Sequence, residues 1–293
     1  MEEEQLQLLS HAYQNGAINE DVFLYFTEQI NLEEVKAIFF DGSLLTEDEL
    51  EDFFFWISFP DMWRASKNLK SFEIYNAPVY GLLTPEAYPK LEQMIVNHTS
   101  LSSIIFAKSA PNLRVFSAVD NDLEAKLVLS ADMPLEELNV SNNPKLESVD
   151  FDQRETVKVA RLRQLPKFKA SHLQLFTNLE ELHIDIFNNK HSNFLPQNLT
   201  KLHLSVKRGT EFKQLPPMEK LEELSITRSE RLKVIKLPEL PSLKTLNISY
   251  NSLIKLPDLG SYTKLEEVCV KGNALLSREP LNELRERGVR VVV

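Results

Sequence analysis

Apolar residues return at one phase down most of the chain: Leu69, Leu91, Leu113, Leu135, Val157, Leu179, Leu199, Leu221, Leu243 and Leu265. The step is 22 residues, apart from one of 20 between Leu179 and Leu199. Each opens a segment with further apolar residues three and five places on, as in Leu135, Leu138 and Val140, or Leu243, Leu246 and Ile248. Such alternation predicts a short strand whose first, fourth and sixth positions face a core while the third, fifth and seventh face outward. A second apolar group follows, Leu101 and Ile104 or Leu253 and Leu256, where the chain must turn back over that core. One such unit cannot bury its apolar face alone, so the pattern predicts a stack of coils, each repeat closing one turn.

The ninth position carries Asn121, Asn143, Asn251 and Asn273. An asparagine there supplies two donors and an acceptor to backbone groups left open at the turn. Through the segments LEELNVSNN (135–143), LKTLNISYN (243–251) and LEEVCVKGN (265–273), the chain resembles the leucine-rich repeat family over roughly residues 68–293. The resemblance implies an α/β solenoid, a curved horseshoe with a parallel concave sheet, and a role in binding other proteins. Leu165, Phe187 and Lys207 depart from the asparagine pattern, so irregular loops are expected in the middle, with Thr99 and Ser229 as partial substitutes. The return segments Leu215–Pro216–Pro217, Leu237–Pro238 and Leu256–Pro257 oppose regular helix. This style is similar to bacterial members of the family, including some delivered into host cells.

Residues 1–67 fall outside the clean period and are expected to cap the exposed end of the stack. Glu3 to Gln14 reads as a helix with Leu6, Leu9 and Tyr13 on one side, and Asn19 as the cap of a second helix bearing Val22, Phe23, Phe26 and Ile30. Leu32, Val35, Ala37 and Phe39 or Phe40 suggest an irregular first strand, and Thr46 with Glu49 a capping box ahead of a helix bearing Leu50, Phe53, Phe54 and Ile57. At the other end, Pro280 to Arg287 predicts a helix and Val289 to Val293 a closing strand.

Composition narrows the function classes. A formal charge of −10 and a pI near 5.3 argue against nucleic acid and anionic membrane as partners. The single cysteine, Cys269, rules out an intramolecular disulfide, and the acidic, amphipathic N-terminus does not read as a secretory signal. A monomer in a reducing cytoplasm is therefore expected, with secretion into a host cell as the alternative. Seven scattered glycines form no phosphate-cradling loop. Cys269 has Asn247 as its inferred neighbour and no histidine to act as base, so no enzyme activity and no cofactor are expected.

On a parallel sheet, equivalent positions of neighbouring repeats lie about 4.8 Å apart and form ladders. The fifth and seventh positions gather charge and imidazole in the middle: Arg161, Arg163, Glu181, His183, Asp185, Lys201 and His203 are the first candidate partner-binding surface. Arginine suits such a surface, because its fixed fork of donors recognises carboxylates. Tyr75, Ile95 and Val119, with Val115, form a second, apolar candidate near the N-terminal end. His183 and His203 with Glu181 and Asp185 also have the makings of a zinc site. That reading is set aside at this stage, because Arg161 on the adjacent rung would repel a cation.

Overall fold

The computed structural model describes residues 3–56, 67–83, 89–104, 110–129, 132–186, 189–213, 215–274, 276–277 and 279–293. The expected positions Ile57 and Phe187 lie outside these residues, and so does the side chain of Phe54. The chain divides into two compact units, Met1–Val157 and Lys158–Val293. This boundary lies within the repeats, well beyond the end of the cap expected at residue 67.

The first unit opens with α1 (Glu3–Gln14) and α2 (Glu20–Phe26), then β1 (Ala37–Asp41) and α3 (Glu47–Trp56). Strands β2 (Ser71–Tyr75), β4 (Gln93–Asn97), β6 (Val115–Ser117) and β8 (Glu137–Asn139) follow β1 in one parallel sheet. Behind them, β3 (Tyr80–Leu83) pairs with β5 (Ser100–Ile104), and β7 (Ala125–Val128) with β9 (Leu146–Asp150), so some return segments are themselves paired. The second unit repeats the arrangement. Its parallel sheet runs β10 (Val159–Leu162), β11 (Glu181–Ile186), β12 (Lys201–Val206), β14 (Glu223–Ile226), β16 (Thr245–Asn247), β17 (Glu267–Cys269) and β18 (Arg290–Val292). Behind it β13 (Glu211–Phe212) pairs with β15 (Val234–Ile235). Helix α4 (Glu279–Glu286) packs on β18 at the end of the stack, as the sequence predicts.

The strand phase follows the sequence. Leu69, Phe72 and Ile74 are buried, as are Leu135, Leu138 and Val140, and Leu243, Leu246 and Ile248. In the N-terminal region the phase is corrected: Val35, Ile38 and Phe40 are the buried set, in register with Leu69, Phe72 and Ile74, while Ala37 and Phe39 point the other way. Residues 37–41 are thus a strand of the sheet, followed by α3. Helix α1 buries Leu9 and Ala12, whereas Leu6 is 44% exposed and Tyr13 stacks on Phe23 at 4.6 Å. The capping box forms: Thr46 N donates to Glu49 Oε2 at 2.9 Å, and Glu49 N donates to Thr46 Oγ1 at 3.3 Å. Asn19 precedes α2 without capping it; its amide instead donates to Ala37 O at 3.0 Å and accepts from Phe39 N at 3.2 Å, tying the helix to β1.

The turn asparagines do what their chemistry predicts. Asn251 Nδ2 donates to Ile226 O in the preceding coil at 2.7 Å and to Ile248 O in its own at 2.9 Å, and Oδ1 accepts from Ser229 N at 2.9 Å. Asn273 repeats the pattern on Ile248, Val270 and Leu253, and Asn143 on Ala118, Val140 and Leu123. Thr99 Oγ1 donates to Asn121, and Ser229 Oγ accepts from Val206 N at 2.8 Å, so both polar substitutes are used.

One regularity was not read from the sequence. The eighth residue of the repeat turns the backbone left-handed at Asn76, His98, Asp120, Asn142, Gln164, Arg228 and Tyr250, with φ between 51 and 58°, and at Gly272, with φ 73°. Ile186 and Val206 hold the same position in the two central coils, and there the strand runs straight on. A β-branched residue resists positive φ most strongly, so the exception has a local cause. Of the loops expected to be irregular, the one at Leu165 keeps the left-handed turn at Gln164, the one at Lys207 lacks it at Val206, and Phe187 lies outside the described residues; the strands before the last two pair as far as Asp185↔Ser205 and Ile186↔Val206.

Candidate functional site

Of the central candidate residues, Arg161, Glu181, His183, Lys201 and His203 come together on the outward face of β10, β11 and β12. Arg161, His183, His203 and Ser225 are register partners across β10, β11, β12 and β14, and the row two residues earlier is Val159, Glu181, Lys201 and Glu223. Because the register is set by the backbone ladder, these side chains are positioned by rigid elements and not by loops.

The rings of His183 and His203 stack at 4.1 Å with an interplanar angle of 15°. Glu181 Oε1 lies 2.7 Å from His183 Nε2 and 3.5 Å from Arg161 Nη2, and Glu223 Oε1 lies 3.7 Å from His203 Nε2. Burial pushes both imidazoles below the ordinary histidine range, and in His183 it outweighs the bond to Glu181. Burial raises the Glu181 carboxyl, but the His183 hydrogen bond and the charges of His183, Arg161 and Lys201 outweigh it and leave the pKa lowered. The direction we hold to is a neutral imidazole donating Nε2–H to an ionised carboxylate, since desolvation acts on both rings while the carboxylate keeps its cationic neighbours. Arg163 stands at the end of β10, half-buried near Asp185.

Asp185 does not belong to this surface. It is 3% exposed, its Oδ2 accepts from Gln164 N at 3.0 Å, and Lys207 Nζ lies 3.4 Å from the same oxygen. Its carboxylate thus serves the backbone of the neighbouring coil's turn at Gln164. Ser205 matches it on β12, fully buried and donating to Arg228 O at 3.2 Å.

The second candidate does not form one apolar patch. Ile95 has Glu73 and Ser117 as register neighbours, Val115 has Gln93 and Glu137, and Val119 N donates to Asn97 Oδ1 at 2.8 Å. Tyr75 packs against Phe39 at 5.9 Å and donates its hydroxyl to Glu73 Oε2 at 3.0 Å. Burial and the Glu73 charge push its phenol up to about 12. The rungs therefore set polar residues directly beside Ile95 and Val115, which are not register partners of one another. Cys269 has Asn247 and Val292 as its register neighbours, and neither supplies a base.

Strands of one phase, parallel and in register, each opening a coil of about 22 residues that closes with a return segment, define the architecture. The fold is that of a leucine-rich repeat solenoid. No protein-family model matches the sequence, and no curated protein matches it. Among solved structures the chain is similar to a leucine-rich repeat protein from Bacteroides eggerthii, with 14% sequence identity and a TM-score of 0.47. The match covers 79% of this chain and 54% of that one, so the chain spans about half the length of that protein. Among the described residues, no helix is long and apolar enough to cross a membrane.

Proposed function

We propose that the protein is a non-enzymatic scaffold that binds a protein partner on the outward face of β10–β12. The observation that supports this reading is the backbone-set cluster of Arg161, Glu181, His183, Lys201 and His203, five polar side chains on a regular sheet. Such a surface orders few side chains on association, so less of the interaction energy is lost to conformational entropy. Arg161 at its edge and the exposed Lys201 favour carboxylates on the partner. Burial removes Asp185 from the contact set, and Arg163 takes part from the margin.

The test compares affinity capture from native extract by the wild-type chain and by the Arg161→Glu/Lys201→Glu variant. Binding should weaken by about 1–3 kcal/mol per contact residue, with the fold intact. Equal capture of the same partners by both chains would remove this surface and leave the face around Tyr75, Ile95 and Val119 as the next one to test.

A further inference from the structure

Glu181, His183 and His203 each place one metal-ligating atom within 4.8 Å of the other two. Three features make this more than a chance meeting of surface groups. Adjacent strands in register place both histidines side by side, and Glu181 stands two residues before His183 on the same face, so no loop has to move; the rings, now stacked 4.1 Å apart, need only turn about their side-chain torsions to aim at one ion. The imidazole side chains are only 21% and 19% exposed, which shields a bound ion from competing water. Glu223 Oε1, 3.7 Å from His203 Nε2, offers a further oxygen from the next strand.

The donor set decides the ion. Two imidazole nitrogens and a carboxylate oxygen, with a fourth position open to Glu223 or water, suit a borderline divalent ion of the zinc type and not calcium or magnesium, which take mainly oxygen ligands. We propose that Glu181, His183 and His203 form a zinc-binding site on this face. For zinc to take the Nε2 lone pair of His183, the neutral ring carries its N–H on Nδ1 instead, and the Glu181 carboxylate exchanges the Nε2–H hydrogen bond for the ion, so this neutral ring releases no net proton. The objection from sequence was Arg161. In the structure its Nη2 lies 3.5 Å from Glu181 Oε1, and its charge also bears on His183, on a side chain 37% exposed. At that distance, with the arginine end partly exposed, the pair contributes little, and zinc binding requires the arginine to turn outward as the ion enters.

This inference does not depend on the partner-binding reading, because it is tested on the isolated chain. Tag-free, chelator-treated full-length protein is titrated with zinc chloride by calorimetry, and bound zinc is counted after gel filtration. One equivalent should bind. His203→Gln and Glu181→Gln should each weaken that binding by more than about tenfold, while His98→Gln, at an exposed histidine paired with Asp120 in the other unit, should leave it unchanged. Thermal unfolding without zinc checks that each variant is folded. Should His203→Gln fail that check, the near-isosteric Glu181→Gln decides. Absence of a stoichiometric site, or wild-type affinity in the folded Glu181→Gln variant, would overturn the proposal.

Discussion

In the coils of β16 and β17 the eighth residue, Tyr250 or Gly272, turns the backbone left-handed, and the asparagine after it clamps the turn to the preceding coil. In the coils of β11 and β12 the eighth residue is Ile186 or Val206, and the strand continues for six residues where the others stop at three. The two kinds of coil share the same buried leucines, so the core does not distinguish them. The difference lies in how the backbone at the strand end finds its hydrogen bonds. One kind takes them from an inward asparagine; the other takes them from strand pairing and, at Val206 N, from Ser229 Oγ of the next coil. The lesson is that a repeat can lose its signature residue and become more regular. The longer ladder then holds the outward third and fifth positions, where His183, His203 and Glu181 stand, in fixed register.

The largest effect should be one that both kinds of coil share. Leu182→Ala and Leu246→Ala, each removing a fully buried side chain, should cost about 2–5 kcal/mol in denaturant unfolding, with similar values in the two coils. A marked inequality would mean that the coils differ in core packing as well as in their turns. Next comes Asn251→Ala, which leaves two carbonyls and one amide near the core without their partner and should cost about 3 kcal/mol. A loss no larger than for an exposed substitution would break the contrast between clamped and unclamped coils.

The backbone explanation is sharpened at Tyr250, whose φ is 55° and whose side chain is largely exposed. Tyr250→Ile should cost about 1–3 kcal/mol through strain alone, whereas Tyr250→Asn should stay within about 0.5 kcal/mol, since asparagine tolerates the left-handed region. Equal stability of the two variants would leave the straight strands at Ile186 and Val206 without a local cause.

A pH series isolates the central coils. Burial holds the folded His183 and His203 below the ordinary value of 6.5, so the unfolded chain takes up protons first as pH falls. Their contribution is complete above pH 6.5 and is lost as pH drops from there toward their folded values. With chelator present, the wild type should therefore lose stability faster below that pH than His183→Gln/His203→Gln, as read by thermal unfolding across the series. Parallel curves would contradict the assigned burial. The smallest effect belongs to Arg161→Glu/Lys201→Glu, where each site should change stability by no more than about 0.5 kcal/mol.

Much of this was legible in the chain. The inward phase from Leu69 to Leu265, the asparagine clamps, the capping box of Thr46 and Glu49, and the terminal helix and strand all rest on short-range patterns that one repeat length contains. The cap strand was misphased because Ala37, Ile38, Phe39 and Phe40 are all apolar, and alternation cannot choose a face when both phases are filled. Asp185 was misplaced because position seven lies at the strand end, where the neighbouring coil can cover it with or without a turn at position eight: Ser249, ahead of the left-handed Tyr250, is as buried as Asp185, and the straight strand end at Ile186 also went unread. The β-branched character of Ile186 and Val206 beside Asn142, Arg228 or Gly272 was the available signal. At the site, the rungs joining Arg161, His183 and His203 followed from the repeat spacing. The convergence of Glu181 on the imidazoles depends on side-chain torsions that spacing does not contain.

The central claim is that the face of β10–β12 is where a partner binds. Amide hydrogen exchange on the chain with and without its captured partner tests it most directly. The account predicts added protection in peptides covering residues 159–163, 181–186 and 201–206, with little change over 71–97 and 115–119. Protection confined to the N-terminal strands or to α1–α3, with the central strands unchanged, would contradict it.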